Sequence, residues 1–338
     1  MKRVAALLSI FLAASASAAR DRQNPASGQD PATVSTDTPG TIDATLLALG
    51  QLDQRMTVPV DVGKAGPYNF IIDTGAERTV IARELAGSLR LAAGAPVRMT
   101  AMTGTSQVDT VVVPNLAIAS IGEQHTIIAP ALQAINLGAM GLLGIDTLQK
   151  HRITIDFERG TMAVMPSLKR GARERRDPDE IVVTAKNLFG QLIVTDAYYG
   201  NTRIQVVLDT GSQVTMGNAA LRRRIGKRGP APKPIVLTSV TGAKATADYT
   251  QIPDISVGKV KFGAMPVAFA EVAPFERFGL VKRPALMLGM DALRAFRRVD
   301  IDFPNRQVRF LMPESKDWTP RTGSLIRGSA GASPMRTF

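Results

Sequence analysis

Phe70-Ile71-Ile72-Asp73-Thr74-Gly75-Ala76 and Val206-Val207-Leu208-Asp209-Thr210-Gly211-Ser212 are one short pattern written twice. Each is an apolar run of β type that stops at Asp-Thr-Gly. Such a run reads as a buried strand, and the glycine permits a tight turn directly after it. The aspartate therefore stands where a buried strand opens into a loop. Two such loops facing each other would bring two carboxylates together, so Asp73 and Asp209 are the candidate working groups.

The repetition continues downstream of both copies. Thr103-Gly104 and Thr241-Gly242 each lie between β-type runs and read as the turns of hairpins. The segment Leu142-Leu143-Gly144-Ile145-Asp146-Thr147-Leu148 is answered by Met287-Leu288-Gly289-Met290-Asp291-Ala292-Leu293. Ile153-Thr154-Ile155-Asp156-Phe157 is answered by Val299-Asp300-Ile301-Asp302-Phe303. The spacing between partners grows from 136 at the aspartates to 146 at this last pair, with order kept throughout. One fold written twice with small loop insertions accounts for this. The Leu-Leu-Gly and Met-Leu-Gly segments are expected to be core strands behind the Asp-Thr-Gly loops. Asp146 and Asp291 are expected to cap the helices that follow.

Composition bounds the chemistry. The 338 residues are enough for two domains. The chain has no cysteine, which excludes thiol catalysis, thiolate metal sites, disulfides and lipid attachment at cysteine. His125 and His151 are the only imidazoles, too few for a multi-histidine metal centre, and neither is expected to be catalytic. No metal and no cofactor is expected. The formal charge is +12, which favours anionic neighbours. Much of it lies in the terminal and linking stretches, with no basic segment interleaved with aromatics, so nucleic-acid binding is not expected.

Along the chain, Lys2 and Arg3 precede an apolar run over residues 4–14, followed by Ala16-Ser17-Ala18. This is the pattern of a secretory signal peptide over residues 1–18, and the run is short for a membrane span. A periplasmic or secreted location, with no stable span after cleavage, is the expectation. Residues 19–45 are polar and rich in Pro, Gly and Ser, and read as a flexible leader. The first repeat then occupies 46–166. A charged linker covers 167–180, the second repeat 181–312 and a polar tail 313–338.

The paired Asp-Thr-Gly loops, the paired apolar-apolar-Gly segments and the hairpins between them resemble the aspartic proteases, most closely their retropepsin-like (retroviral-type) branch. Here both halves stand in one chain. The resemblance covers about residues 56–312. It implies an all-β, bilobal, pseudo-twofold fold with short helices and a cleft between two β-barrel lobes. It implies a polypeptide substrate and a monomer, since one chain supplies both aspartates. Thr74 and Thr210 would lock the loops together, Gly75 and Gly211 would let backbone approach the carboxylates, and Ala76 and Ser212 would close the loops. Thr103, Gly104, Thr241 and Gly242 would sit in candidate flaps. No tyrosine stands in the first hairpin, so the flap residue of the pepsin branch has no counterpart.

The chemistry also follows from the residues. Two neighbouring carboxylates in a partly dry site cannot both ionise cheaply and share one proton. The charged member can take a proton from water while the protonated member polarises a peptide carbonyl. Ser212 has a hydroxyl that Ala76 lacks, so donation to Asp209, favouring its charged form, is expected. Two rivals stand beside peptide hydrolysis: a peptide-binding module that does not cut, and a two-carboxylate glycosidase. The intact motif in both halves disfavours the first, and the symmetry of the loops is foreign to the second.

Overall fold

The computed structural model describes residues 56–313, apart from 119, 122–123, 168–178, 189 and 227–229, with backbone only at 124–125. It also describes the backbone of three short strands, Ala5–Leu7, Ile10–Phe11 and Ile326–Gly328. Apart from these strands, the expected signal peptide, leader and tail lie outside the described residues, as does most of the linker.

The fold is bilobal and all-β, with a few short helices. In the first lobe a ring of strands runs Gly104–Ile118, Thr57–Val62, Ala65–Ile72, Gly141–Leu143, Val80–Ala82, Gln124–Leu132 and back to Gly104–Ile118. In the second lobe the equivalent ring runs Gln191–Tyr199, Thr202–Leu208, Ala285–Leu288, Met216–Gly217, Val260–Phe269, Lys244–Val257 and back to Gln191–Tyr199. Closure of each ring leaves few free edges. The strand before each aspartate lies parallel to an apolar-Gly partner: Ile71 opposite Leu142, and Val207 opposite Met287. A parallel strand covered on both faces needs a continuous apolar run rather than an alternating one. That is why Phe70-Ile71-Ile72 and Val206-Val207-Leu208 are unbroken, and all six are buried.

The lobes are also joined beneath the rings. His151–Asp156 of the first repeat pairs antiparallel with Arg298–Asp302 of the second, in a shared sheet that continues through Gln307–Leu311 and Glu180–Leu188. Thr154 faces Asp300, its own repeat partner, and its hydroxyl donates to that carboxylate at 2.6 Å. The pseudo-twofold axis therefore passes between these two residues. Ile153, Ile155, Val299 and Ile301 bury the inner face of this sheet. His151 is buried too, its Nδ1 3.3 Å from the Thr147 carbonyl at the end of the helix Ile145–Leu148.

Candidate active site

Each Asp-Thr-Gly loop hangs from the end of its parallel strand pair. The amide of Asp73 donates to the Leu143 carbonyl at 2.9 Å, and that of Asp209 to the Leu288 carbonyl at 3.0 Å. One link further, Ile145 N–H donates to Ala76 C=O at 2.8 Å, and Met290 N–H to Ser212 C=O at 2.9 Å. The apolar-Gly segments thus run behind the loops and fix both ends of each. Gly144 and Gly289 are required there, because a methyl group would collide with the backbone at Arg78–Thr79 in one lobe and at Val214–Thr215 in the other.

The two loops meet across the axis. Thr74 N–H donates to Thr210 Oγ1 at 3.1 Å, and Thr210 N–H donates to Thr74 Oγ1 at 3.1 Å. Each hydroxyl donates onward to the opposite strand: Thr74 to the Leu208 carbonyl at 2.8 Å and Thr210 to the Ile72 carbonyl at 2.7 Å. These four buried bonds tie the ends of both strands to each other. A methyl group on Gly211 would collide with the Asp73 carboxyl group. The first carboxylate therefore sits against the second loop, two residues on from Asp209. Both aspartates are fully buried. Asp73 Oδ1 accepts from the amides of Gly75 at 2.9 Å and Ala76 at 3.0 Å, and Asp209 Oδ1 accepts from the Ser212 amide at 3.2 Å.

Two expectations are corrected. The Ser212 hydroxyl donates to the Val214 carbonyl at 2.8 Å rather than to Asp209, because that carbonyl is the local acceptor in the turn leaving the loop. The difference between Ser212 and Ala76 is thus spent on backbone. Asp146 and Asp291 are not helix caps; the cap positions are Gly144 and Gly289. Each carboxylate instead binds a threonine of its own loop. Asp146 accepts from Thr79 N–H at 2.9 Å and Thr79 Oγ1 at 2.8 Å. Asp291 accepts from Thr215 N–H at 2.9 Å and Thr215 Oγ1 at 2.6 Å. A loop passing close to the helix start offers more donors than the helix does. Burial pushes both acids up, Asp291 to about 6, against the opposing pull of the threonine bonds.

Gln191 is a supporting residue that the sequence reading missed. It is fully buried, and its Nε2 donates to the Gly75 carbonyl at 2.9 Å, from the second lobe into the first loop. A lone glutamine at a strand start carries no sequence signal for that role.

The hairpins cross between lobes. The first has a two-residue turn, Met102-Thr103, with Ala101 opposite Gly104. Its Met102 is buried within the apolar core of the second lobe, and the Met102 carbonyl accepts from Ala273 N–H at 3.1 Å. The second has a four-residue turn over 240–243, and its Gly242 packs on the Asn136 carboxamide of the first lobe. Thr103 is exposed, while Gly104, Thr241 and Gly242 are half-buried. Each hairpin edge is paired with an extended strand: Arg98–Thr100 carries the parallel strand Ala5–Leu7, and Thr238–Ser239 the antiparallel strand Ile10–Phe11. No helix among the described residues is long and apolar enough to cross a membrane.

A family model described as aspartyl protease matches residues 58–147 and 195–292, more than half of the chain, with one match in each lobe. The two matches include the two Asp-Thr-Gly loops and both apolar-Gly segments. A search of curated proteins gives no match.

Proposed function

From the premise that this chain belongs to the retropepsin-like aspartyl protease family, we propose that it is an aspartic endopeptidase in which Asp73 and Asp209 form the catalytic pair. The observation that carries this reading is the crossed Thr74–Thr210 bonding, which presents two buried aspartates from facing loops. Two acids held this way share one proton. The ionised member removes a proton from an attacking water, and the protonated member gives its proton to the peptide carbonyl oxygen. The resulting tetrahedral species collapses with cleavage of the C–N bond as the amine nitrogen takes up a proton. The amides of Gly75, Ala76 and Ser212 hold the inner carboxylate oxygens, which fixes the direction in which the outer ones point.

An extended polypeptide pairs its backbone with the hairpin edges that carry the chain's own strands at Arg98–Thr100 and Thr238–Ser239. One or both of the hairpins around Thr103-Gly104 and Thr241-Gly242 close over the bound polypeptide as flaps. The substrate is an exported protein or the exposed part of a membrane protein, and the enzyme works as a periplasmic or secreted monomer. Its N-terminal charge and hydropathy pattern supports export.

The test is a digest of mixed peptides and oligosaccharides by the wild type and by Asp73→Asn, read by mass spectrometry. Peptide cuts made only by the wild type are expected. Glycan products would establish the glycosidase instead. Peptide retention without cuts by either protein would leave a binding module.

A further inference from the structure

The second lobe carries a cluster of cations that has no counterpart in the first. After the short strand Met216–Gly217 comes the helix Ala219–Ile225, with Arg222, Arg223 and Arg224 in its last turn. Its cap, Asn218, is fully buried and makes four side-chain bonds. Asn218 Oδ1 accepts from the amides of Leu221 at 2.9 Å and Ala285 at 3.2 Å. Its Nδ2 donates to the carbonyls of Leu280 at 2.8 Å and Arg283 at 2.7 Å. One side chain thus locks the helix start to the segment 280–285, which contains Lys282 and Arg283. Arg223, Arg224 and Lys282 line one open groove together with Ala220 and Pro284.

The equivalent places in the first lobe are built otherwise. The helix Arg83–Ser88 has one cation and one acid, Arg83 and Glu84, and its cap is Ala82. Phe70 faces Gly141 where Val206 faces Leu286, so Gly141 and Leu286 are equivalent. Ahead of them, Gly138 is followed by only Ala139 and Met140, and Gly279 by the six residues Leu280 to Ala285. Lys282 and Arg283 therefore stand in an insertion that one copy alone possesses.

Arginines in a last turn complement the helix dipole, which explains the helix but not the two further cations fixed beside it. Arg222 is committed locally, donating to the Gly226 carbonyl at 3.2 Å and lying 5.5 Å from the centre of the Phe269 ring. Arg223, Arg224, Lys282 and Arg283 are exposed, and no carboxylate among the described residues pairs with them. The acid at this helix, Glu271, accepts the Ala219 amide at the opposite end, at 2.8 Å. Like charges fixed together repel, and an anionic partner relieves that repulsion. Neither segment contains an aromatic residue on which a nucleic-acid base could stack. Val281, next to Lys282, is 41% exposed. An apolar tip among cations suits a lipid headgroup layer, with phosphates for the guanidinium forks and the acyl boundary for the valine.

We propose that Arg223, Arg224, Lys282 and Arg283 form a docking surface for a bilayer that contains anionic phospholipid, with Val281 entering the headgroup layer. Binding is peripheral and through the second lobe. It goes beyond the protease reading and does not rest on it.

The experiment is co-sedimentation of the full-length protein with vesicles of phosphatidylcholine alone or mixed with phosphatidylglycerol, at low and high salt. Apolar binding by the N-terminal run is common to both vesicle types and cancels in the comparison. A preference of about 100-fold for the mixed vesicles, weakened by salt, is expected. Arg223→Gln, Arg224→Gln, Lys282→Gln and Arg283→Gln combined should abolish that preference. Should this variant fail to fold, Arg224→Gln alone should reduce it by about 5-fold. Lys64→Gln, Arg90→Gln, Lys150→Gln and Lys186→Gln combined, removing as many exposed cations elsewhere, should reduce it by less than about 5-fold. Equal binding to both vesicle types, an unmoved preference in the first variants, or an equal loss in the control would overturn the proposal. Capture of polyglutamate in place of mixed vesicles would also overturn it, assigning the patch to an acidic polypeptide.

Discussion

The strand-end bonds and the crossed threonine bonds of the two Asp-Thr-Gly loops agree, whereas the hairpins beside them differ in turn and in neighbours. The strand-end amides of Asp73 and Asp209 reach their carbonyls at 2.9 and 3.0 Å, and the crossed threonine amide bonds are both 3.1 Å. The hairpins, by contrast, turn over two residues on one side and four on the other; the Met102 carbonyl of the first accepts from Ala273 N–H, and Gly242 of the second packs on the Asn136 carboxamide. The difference follows from the axis. A residue on the axis bonds to its own repeat partner, so a change in one copy breaks the bond of both. A residue away from the axis meets an unrelated neighbour, and the copies are free to diverge.

The largest effects are expected where the comparison predicts equality. Asp73→Asn and Asp209→Asn should each lower the cleavage rate by about 10³-fold or more, as loss of an essential acid or base does. A rate assay on any peptide found in the digest measures this. One variant retaining near wild-type activity would break the equivalence of the loops. Next, Thr74→Val and Thr210→Val each remove a donated bond and an accepted bond in a buried place. Each should cost about 3 kcal/mol, read by chemical denaturation. Values differing severalfold would show that the axis does not share the load.

A comparable effect distinguishes the two buried acids. Burial raises Asp291 from 3.8 to about 6, so the folded protein holds its proton more tightly than the unfolded chain does. That contribution is fully present at low pH and is lost as pH rises through about 4 to 6, at about 1.4 kcal/mol per pH unit. Stability of the wild type should therefore fall by about 3 kcal/mol over that window from this group alone. Asp291→Asn should flatten the fall. Asp146 is raised as well, for the same cause and with Arg78 nearby opposing it, so Asp146→Asn should flatten it less. Denaturation curves at pH 4, 5, 6 and 7 decide this. The smallest effect belongs to Ser212→Ala, which loses one bond to the Val214 carbonyl. It should cost about 1 kcal/mol and leave the acidic limb of the pH–rate profile in place.

Much of the fold was legible because it is repeated. The unbroken runs Phe70-Ile71-Ile72 and Val206-Val207-Leu208 announce doubly covered strands, and the matched Gly144 and Gly289 announce close backbone approach. Asp146 and Asp291 misled, since an acid beside a helix start looks the same in sequence whether it caps the helix or a distant threonine. Ser212 misled for a related reason: a hydroxyl has several acceptors in reach, and only the path of the turn chooses among them. Gln191 and the Glu77–Arg277 pair were invisible, being contacts across 116 and 200 residues with no motif to carry them.

The amino-acid sequence by itself determined that two Asp-Thr-Gly loops end two buried strands in two copies of one fold, because hydrophobic periodicity and glycine requirements are local. Only the tertiary structure decided that Thr74 bonds Thr210, that Thr154 faces Asp300, and that Arg277 of one lobe reaches Glu77 of the other. Those outcomes depend on which surfaces meet when two lobes close on a shared axis, and no short-range preference encodes that.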